Sequence, residues 1–552
     1  MKSDNLFARY PLVPVFFFMT VCLLPTLLLR DFSPSNELRY LSIADEALAG
    51  GHIFAFFNQG AAYADKPPLY FWIIMLCRLI AGKHSMLLLA LFSYIPALII
   101  IGVMDKWIRL EGAGERAAMA LMTGTCAMFL GMSVFLRMDM LMCLFITLAL
   151  FTFYQWYEGI GNERRHRILF PVWTFLALFT KGPVGLLVPP LSVLCFLLVK
   201  DRGRGLGKYL GLRTWGIIAL LCAAWFTGVW FDGGKDYLNN LLFHQTVDRA
   251  VNAFHHKKPF WYYLGAIWYT VAPWCLLLVG CVVSALRKPA RKAGRSDAEV
   301  LFLCVILSTF VMLSAFSSKL SIYLAPIFPF LVWLFPLVLN RKGWEKWMGW
   351  ALGIPAGLFA LIGIAALLVL QGWIPSRLGT LTDPLLREWP FIQAKPVVAG
   401  LCLLAAGGLI ALRWTFKRKN WHLIVYMIAS SLLLALYCAS TQFPRINDFT
   451  AYGHLCQEVP AGTQVATLYV HRPENMDVYL GRDITDYGKD ADAFLQQEWE
   501  NRDPARGPLT LIAGKKAVEA SPALSTAIAG QNITFVGDWF IVTLTPEIST
   551  QP

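Results

Sequence analysis

Eleven ionisable side chains and two tyrosines stand out because apolar sequence surrounds them. In chain order they are Glu37, Arg39, Tyr40, Asp65, Lys66, Arg137, Asp139, Lys181, His256, Lys257, Lys258, Lys319 and Tyr323. Most lie at, or just beyond, the end of a long apolar run. Ionisable groups at the edge of a membrane are costly unless solvated or paired, so each is a candidate for function. Cations dominate the set. Lys66, Lys181 and Lys319 sit at about the depth of lipid phosphates, and a lysine ammonium is a strong point-charge partner for phosphate. A sugar carried on a phosphate needs no acid to leave if cations take up the developing charge. Its transfer then needs one base to orient or deprotonate an acceptor hydroxyl. Glu37, Asp65 and Asp139 are the carboxylates in the set.

The elements that must hold these residues follow from composition. The chain has 552 residues, 57% hydrophobic and 15% charged, and a mean hydropathy of +0.54. Disorder requires the opposite balance. A single soluble enzyme of this length would need more solvating residues, since soluble domains are about a quarter charged. An all-α polytopic membrane protein remains. Apolar runs long enough to cross a bilayer occur near 11–30, 85–104, 117–135, 140–157, 168–180, 183–199, 214–231, 262–285, 299–316, 321–339, 346–370, 396–413 and 421–439, which is about 13 transmembrane helices. The run at 168–180 is short and is expected to borrow flanking residues; the run at 69–82, also short, contains Arg78 and is expected to lie along the interface. With that placement the basic loops 105–116, 158–167, 200–213, 286–297, 340–347 and 413–419 share the side of the N-terminus. They hold 23 of the 48 basic residues. The positive-inside rule makes that side cytoplasmic, and the net charge of +13 needs no nucleic acid to explain it. Loops 31–84 and 232–261 then face outward. So does the region 441–552, whose strand-like runs (465–470, 510–513 and 534–544) and helical stretches (490–501 and 515–529) predict a small α/β domain following a membrane domain over 1–440. The twelve cysteines mostly fall within apolar runs and form no CxxC pair, as expected of small buried hydrophobes.

Plainer readings stand beside the chemical ones. Glu37 could pair with Arg39 or cap a helix. Asp139 could be an N-cap. Lys181 and Lys319 could snorkel to the interface. The histidines His255 and His256 with one carboxylate are a thin basis for a metal.

Several segments resemble the membrane-embedded GT-C glycosyltransferases, in particular the bacterial aminoarabinose lipid A transferases and their protein O-mannosyltransferase relatives. They are SNELRYLSIADEALAGG (35–51), YADKPPLYFW (63–72), RMD (137–139), FTKGPVGLLVPPLSV (179–193), FHHKKPFWYY (254–263) and SKLSIYLAP (318–326), in the family's order over residues 11–345. The resemblance implies inverting transfer of a sugar, such as 4-amino-4-deoxy-L-arabinose, from undecaprenyl phosphate. The acceptor would be lipid A or another envelope glycolipid, on the outer face of a bacterial inner membrane. Transfer to protein hydroxyls is the alternative acceptor reading. A lipid-linked sugar flippase is the alternative class, disfavoured by the lack of an internal repeat. The resemblance also implies that Lys66, Lys181, Lys319 and Tyr323 meet the donor phosphate. Asp139 would line the active cavity with Asn36, Arg39, Tyr40, Arg137, Lys257 and Lys258. Asp65 and His256 would match a metal-holding pair, so a divalent metal is the one cofactor implied. The family's first loop usually reads Asp-Glu, whereas this chain has Asn36-Glu37. An amide cannot act as a base, which leaves Glu37 or Asp139 for the role.

Overall fold

The computed structural model describes residues 10–242, 257–287, 294–370, 388–415, 420–500 and 507–544. The membrane-spanning part opens with α1 (Leu12–Leu29). A short π-helical turn, Pro34–Leu38, leads into α2 (Arg39–Gly50). A two-residue hairpin, β1 (Phe57–Asn58) with β2 (Ala61–Ala62), precedes α3 (Leu69–Ala81). The following helices are α4 (Met86–Ile108), α5 (Ala113–Gly124), α6 (Ala127–Val134), α7 (Asp139–Tyr157), α8 (Glu163–Lys181), α9 (Pro183–Asp201) and α10 (Leu212–Asn239). Then come α11 (Tyr262–Thr270), α12 (Cys275–Leu286), α13 (Asp297–Ala315), a 3-10 segment Ser321–Ile327 running into α14 (Phe328–Lys342), α15 (Lys346–Leu370), α16 (Lys395–Trp414) and α17 (Trp421–Ser440). Segment 31–84, read from sequence as an outward-facing loop, is therefore largely helical.

Among the described residues ten helices are long and apolar enough to cross a membrane, and α5 with α6, bent by 72°, would make an eleventh. Two more expected spans are present as helices that are charged at their ends or interrupted. One is α8, whose ends carry Glu163, Arg164, Arg165, Arg167 and Lys181. The other is the pair α11 and α12, interrupted at 271–274. The 13 residues of α3 rise only about 20 Å, short of a hydrocarbon core of about 30 Å.

The two interrupted helices meet at their breaks. The Ala127 amide donates to the Ala272 carbonyl (2.8 Å), and the Trp274 indole N–H donates to the Thr125 hydroxyl (3.1 Å). Irregular backbone is tolerated at membrane depth only when protein satisfies its polar groups, and here each break serves the other. At the end of α14, Arg341 forks onto the buried Glu299 that opens α13 (2.6 and 2.8 Å). Arg116 at the start of α5 forks in the same way onto Asp105 near the end of α4 (2.6 and 2.9 Å).

The C-terminal part forms a five-stranded sheet from β3 (Gln464–Leu468), β4 (Ile484–Asp486), β5 (Leu509–Gly514), β6 (Ile533–Val536) and β7 (Trp539–Leu544), in the order β4-β3-β5-β7-β6. β3 is parallel to β4 and β5, and β7 is antiparallel to β5 and β6. Two sequence expectations change. The run 534–544 is a hairpin rather than one strand, turning at Gly537, where φ is 54°. The helix expected over 515–529 is two, Lys515–Ala520 and Pro522–Ile528, parted by the Ser521 cap ahead of Pro522. A Cβ on Gly537 would lie 1.8 Å from the Asp448 carbonyl oxygen. We therefore expect Gly537→Ala to unseat this hairpin, read as faster proteolysis between residues 507 and 544 and a lower melting temperature.

The sheet region is tied to segment 31–84. Asp31 Oδ1 accepts from the Tyr479 hydroxyl (2.6 Å) and Asp31 Oδ2 from the Gly453 amide (2.9 Å). The Ser42 hydroxyl donates to Asp477 (2.7 Å), and Asn475 Nδ2 donates to the Pro34 carbonyl (3.2 Å).

Candidate active site

The start of α7 is the centre of the site. Asp139 is 1% exposed, and its carboxylate is ion-paired with Lys181 and with Arg137 (3.3 Å). Lys181 is the last residue of α8, packed antiparallel beside α7, so 42 residues of chain close into one contact. The Lys181 ammonium also lies 5.1 Å from the centre of the Tyr323 ring, a cation–π distance. Tyr323 arrives on the 3-10 segment before α14, and its amide donates to the Leu320 carbonyl (3.0 Å). Arg137 remains half-buried, so the cluster presents positive charge to its surroundings.

Tyr40 and Arg39 border this cluster. Burial pushes the Tyr40 phenol above its usual pKa, against the pull of the nearby Arg137 and Arg39. The Arg39 guanidinium sits 5.8 Å from the Tyr40 ring and 5.6 Å from the Tyr63 ring. Asn36 lies in the π-helical turn beneath them, half-buried, and its carbonyl accepts the Arg39 amide.

Glu37 has a different setting from the one read in sequence. Its partner is Arg30, which forks onto it with Nη1–Oε2 2.6 Å and Nη2–Oε1 2.8 Å, rather than Arg39. The Ser33 amide (2.7 Å) and the Leu136 amide (2.7 Å) complete the shell. Four donors thus converge on a carboxylate that is 1% exposed. The Leu136 bond fixes the backbone one residue before Arg137. The sequence signal for Arg30 was slight, a single cation ending an apolar run.

Lys319 is 3% exposed. Its ammonium donates to the Phe316 carbonyl and to the Lys258 carbonyl (3.2 Å), and burial draws its pKa down. The Lys257–Ser318 bridge and the bond from the Lys258 amide to the Ser317 carbonyl (3.4 Å) hold both strands of this contact. Lys257 and Lys258 are exposed. Lys319 does not snorkel as it could from sequence: it is buried, and two backbone carbonyls accept from its ammonium.

Asp65 and Lys66 are placed by the C-terminal end of α10. Asp232 Oδ2 accepts the amides of Ile53, Phe54 and Ala55 (2.8, 2.5 and 2.8 Å), while its Oδ1 meets His52 Nδ1 (2.9 Å). The Tyr237 hydroxyl donates to the Tyr63 carbonyl (2.8 Å) and accepts the Phe56 amide (3.0 Å). Ala55 and Ala64 pack with Leu178, Phe179, Trp225 and Val229, which brings the turn before Asp65 and Lys66 to the Lys181 end of α8. Sequence reasoning passed over Asp232 and Tyr237, since it closed the span at residue 231, whereas α10 runs to Asn239 with a bend at Gly234. Asp232→Ala would leave three amides without their acceptor, at about 1–3 kcal/mol for each one buried. Chymotryptic cleavage at Phe54–Phe57 should accelerate strongly in that variant.

Among the described residues no three His, Cys, Asp or Glu side chains come together as a metal site. Asp65 is half-buried, and His256 lies outside the described residues.

The chain resembles known proteins in sequence and in fold. Residues 65–229 match the family described as dolichyl-phosphate-mannose-protein mannosyltransferase. An undecaprenyl phosphate-alpha-4-amino-4-deoxy-L-arabinose arabinosyl transferase from Erwinia tasmaniensis is 24% identical over 445 residues, 78% of this chain and 76% of that protein. The transferase of the same description from Pseudomonas aeruginosa is 27% identical over 432 residues, 73% of this chain and 71% of its own length. The crystal structure of ArnT from Cupriavidus metallidurans bound to undecaprenyl phosphate superposes with a TM-score of 0.71 at 19% identity, covering 96% of this chain and 97% of that one. The resemblance read from the sequence motifs thus reappears in the family match, in curated relatives and in the fold. The curated relatives are described as transferases.

Proposed function

We propose that this chain, a multi-pass membrane glycosyltransferase, transfers a sugar from an undecaprenyl-phosphate donor to lipid A or another envelope glycolipid, with inversion at the anomeric carbon. The sugar we assign is 4-amino-4-deoxy-L-arabinose, the one that the relatives' descriptions carry. The observation that supports this reading best is the Asp139–Lys181–Arg137 cluster beside Tyr323, on the membrane face that also carries Lys66 and Lys319.

In this mechanism the donor phosphate enters beside Arg137 and Lys181. Lys181 then shares its charge between Asp139 and the phosphate. As the bond from the anomeric carbon to phosphate oxygen breaks, these cations take up the charge left on the phosphate. The acceptor hydroxyl oxygen forms the new bond from the opposite side, and its proton passes to Asp139. Glu37, held by four donors, serves as a clamp for the 134–139 backbone rather than as the base. Asn36 then needs no proton-transfer role. Lys66 and Lys319 border the donor path, and Arg39, Tyr40, Lys257 and Lys258 border the acceptor path. If a divalent metal is used, Asp65 is the described residue that would hold it.

The test is sugar transfer by the purified protein from undecaprenyl-phosphate aminoarabinose to lipid A, followed by mass spectrometry. A product heavier than lipid A by one aminoarabinose residue is expected. Transfer to a serine- or threonine-containing peptide with no lipid A product would move the acceptor to protein, the reading that the mannosyltransferase match favours. We also assign the site and the C-terminal sheet to the outer side of a bacterial inner membrane, with the N-terminus cytoplasmic and a boundary near residue 440. Reporters fused after residues 342 and 457 should report inside and outside, respectively. The reverse pattern would invert the orientation.

A further inference from the structure

At the membrane face opposite the site, α9 and the one-turn helix after it form a basic cleft. α9 starts two residues after Lys181 and runs 19 residues to Asp201, a rise of about 28 Å. Its far end therefore lies at the other headgroup layer. Arg202 (φ 52°) and Gly205 (φ 83°) turn the chain there into Leu206–Tyr209. Lys200, Asp201, Arg202, Arg204, Lys208 and Tyr209 line a cleft of about 450 Å³.

The acids nearby are already engaged. Lys200 pairs with Asp297 at the start of α13. Lys208 reaches Glu163 (3.4 Å) and lies over the Tyr209 and Trp156 rings (5.2 and 5.9 Å). Asp201 accepts from the Tyr157 hydroxyl (3.4 Å). Among the described residues no carboxylate pairs with Arg202 or Arg204, and both are exposed. The cleft is flanked by apolar side chains directed outward: Leu198 and Val199 on α9, 52% and 66% exposed, and Leu212 and Trp215 on α10, 91% and 42% exposed.

Two unpaired guanidinium forks suit a phosphate with a net negative charge, which they can bind bidentately. The apolar flanks on both sides suit acyl chains, which free phosphate lacks. Basic pockets between membrane helices bind anionic headgroups by the same means. We propose that this cleft binds the headgroup phosphate of an anionic glycerophospholipid from the leaflet opposite the transferase site, with Arg202 and Arg204 as its ligands. The assignment does not depend on which sugar or acceptor the enzyme uses.

Native mass spectrometry of the full-length protein tests it, with phosphatidylglycerol, phosphatidylcholine of the same chains, or inorganic phosphate added to the detergent micelle. Phosphatidylglycerol adducts should exceed phosphatidylcholine adducts several-fold. Each of R202Q and R204Q should weaken phosphatidylglycerol retention by about fivefold, and K346Q, at the start of α15, should leave it unchanged. A melting transition matching the parent's will show that the variants are folded. Equal retention of the two lipids, or an undiminished preference in the double variant R202Q/R204Q, overturns the proposal. Retention of inorganic phosphate without a lipid preference overturns the lipid assignment.

Discussion

Asp139→Asn is expected to lower turnover by about 10²- to 10⁴-fold, the range for losing a positioned general base. The amide keeps the size of the side chain but cannot take the acceptor proton. It also leaves Lys181 and Arg137 facing each other without the charge they share. Lys181→Ala should fall comparably, because it removes the cation nearest both Asp139 and the Tyr323 ring. The readout is the transfer assay by mass spectrometry, with a melting curve for each variant to show that the protein is folded. Folded Asp139→Asn protein with parental turnover would remove Asp139 from the mechanism and return the question to Glu37.

Arg30→Met should be the most destabilising single change in the site region. The pair it breaks is buried on both sides, with side-chain exposures of 6% and 2%. Removing one member of such a pair strands the other charge, at about 3–5 kcal/mol. Glu37 would keep its two backbone donors but lose its countercharge. The double variant Arg30→Met/Glu37→Met should recover much of that loss, since neither charge remains. A melting series in detergent compares the four proteins. Recovery in the double variant, together with turnover still far below parental, marks Glu37 as a positioning residue acting through the Leu136 amide. Loss of turnover in Glu37→Gln as deep as in Asp139→Asn, with an unchanged melting temperature, would instead restore Glu37 as the base.

The helical segments were legible because membrane spans announce themselves by length and apolarity. Even α8, whose ends are crowded with charge, was visible from the run between them. Breaks within spans were barely legible. Thr125–Cys126 looks like continuous apolar sequence, and at Val271–Trp274 Pro273 alone marks a break, while the opposing chain, through Ala272 and Thr125, makes both interruptions tolerable. The split of 515–529 and the hairpin at Gly537 were missed for a related reason. Each depends on one residue's local geometry within otherwise periodic sequence.

By itself the sequence determined the class of protein, the spans and the set of ionisable residues gathered at one face. Those follow from hydrophobic length and from the cost of charge near lipid, which any one segment expresses alone. Pairing was decided only by the tertiary structure. Glu37 looks as available as Asp139 in sequence, yet Arg30 and two backbone amides saturate it, while Asp139 shares Lys181 and Arg137. A carboxylate's role depends on which donors reach it within about 3 Å. Two of those donors, Lys181 and Leu136, come from 42 and 99 positions away, so packing has to select them.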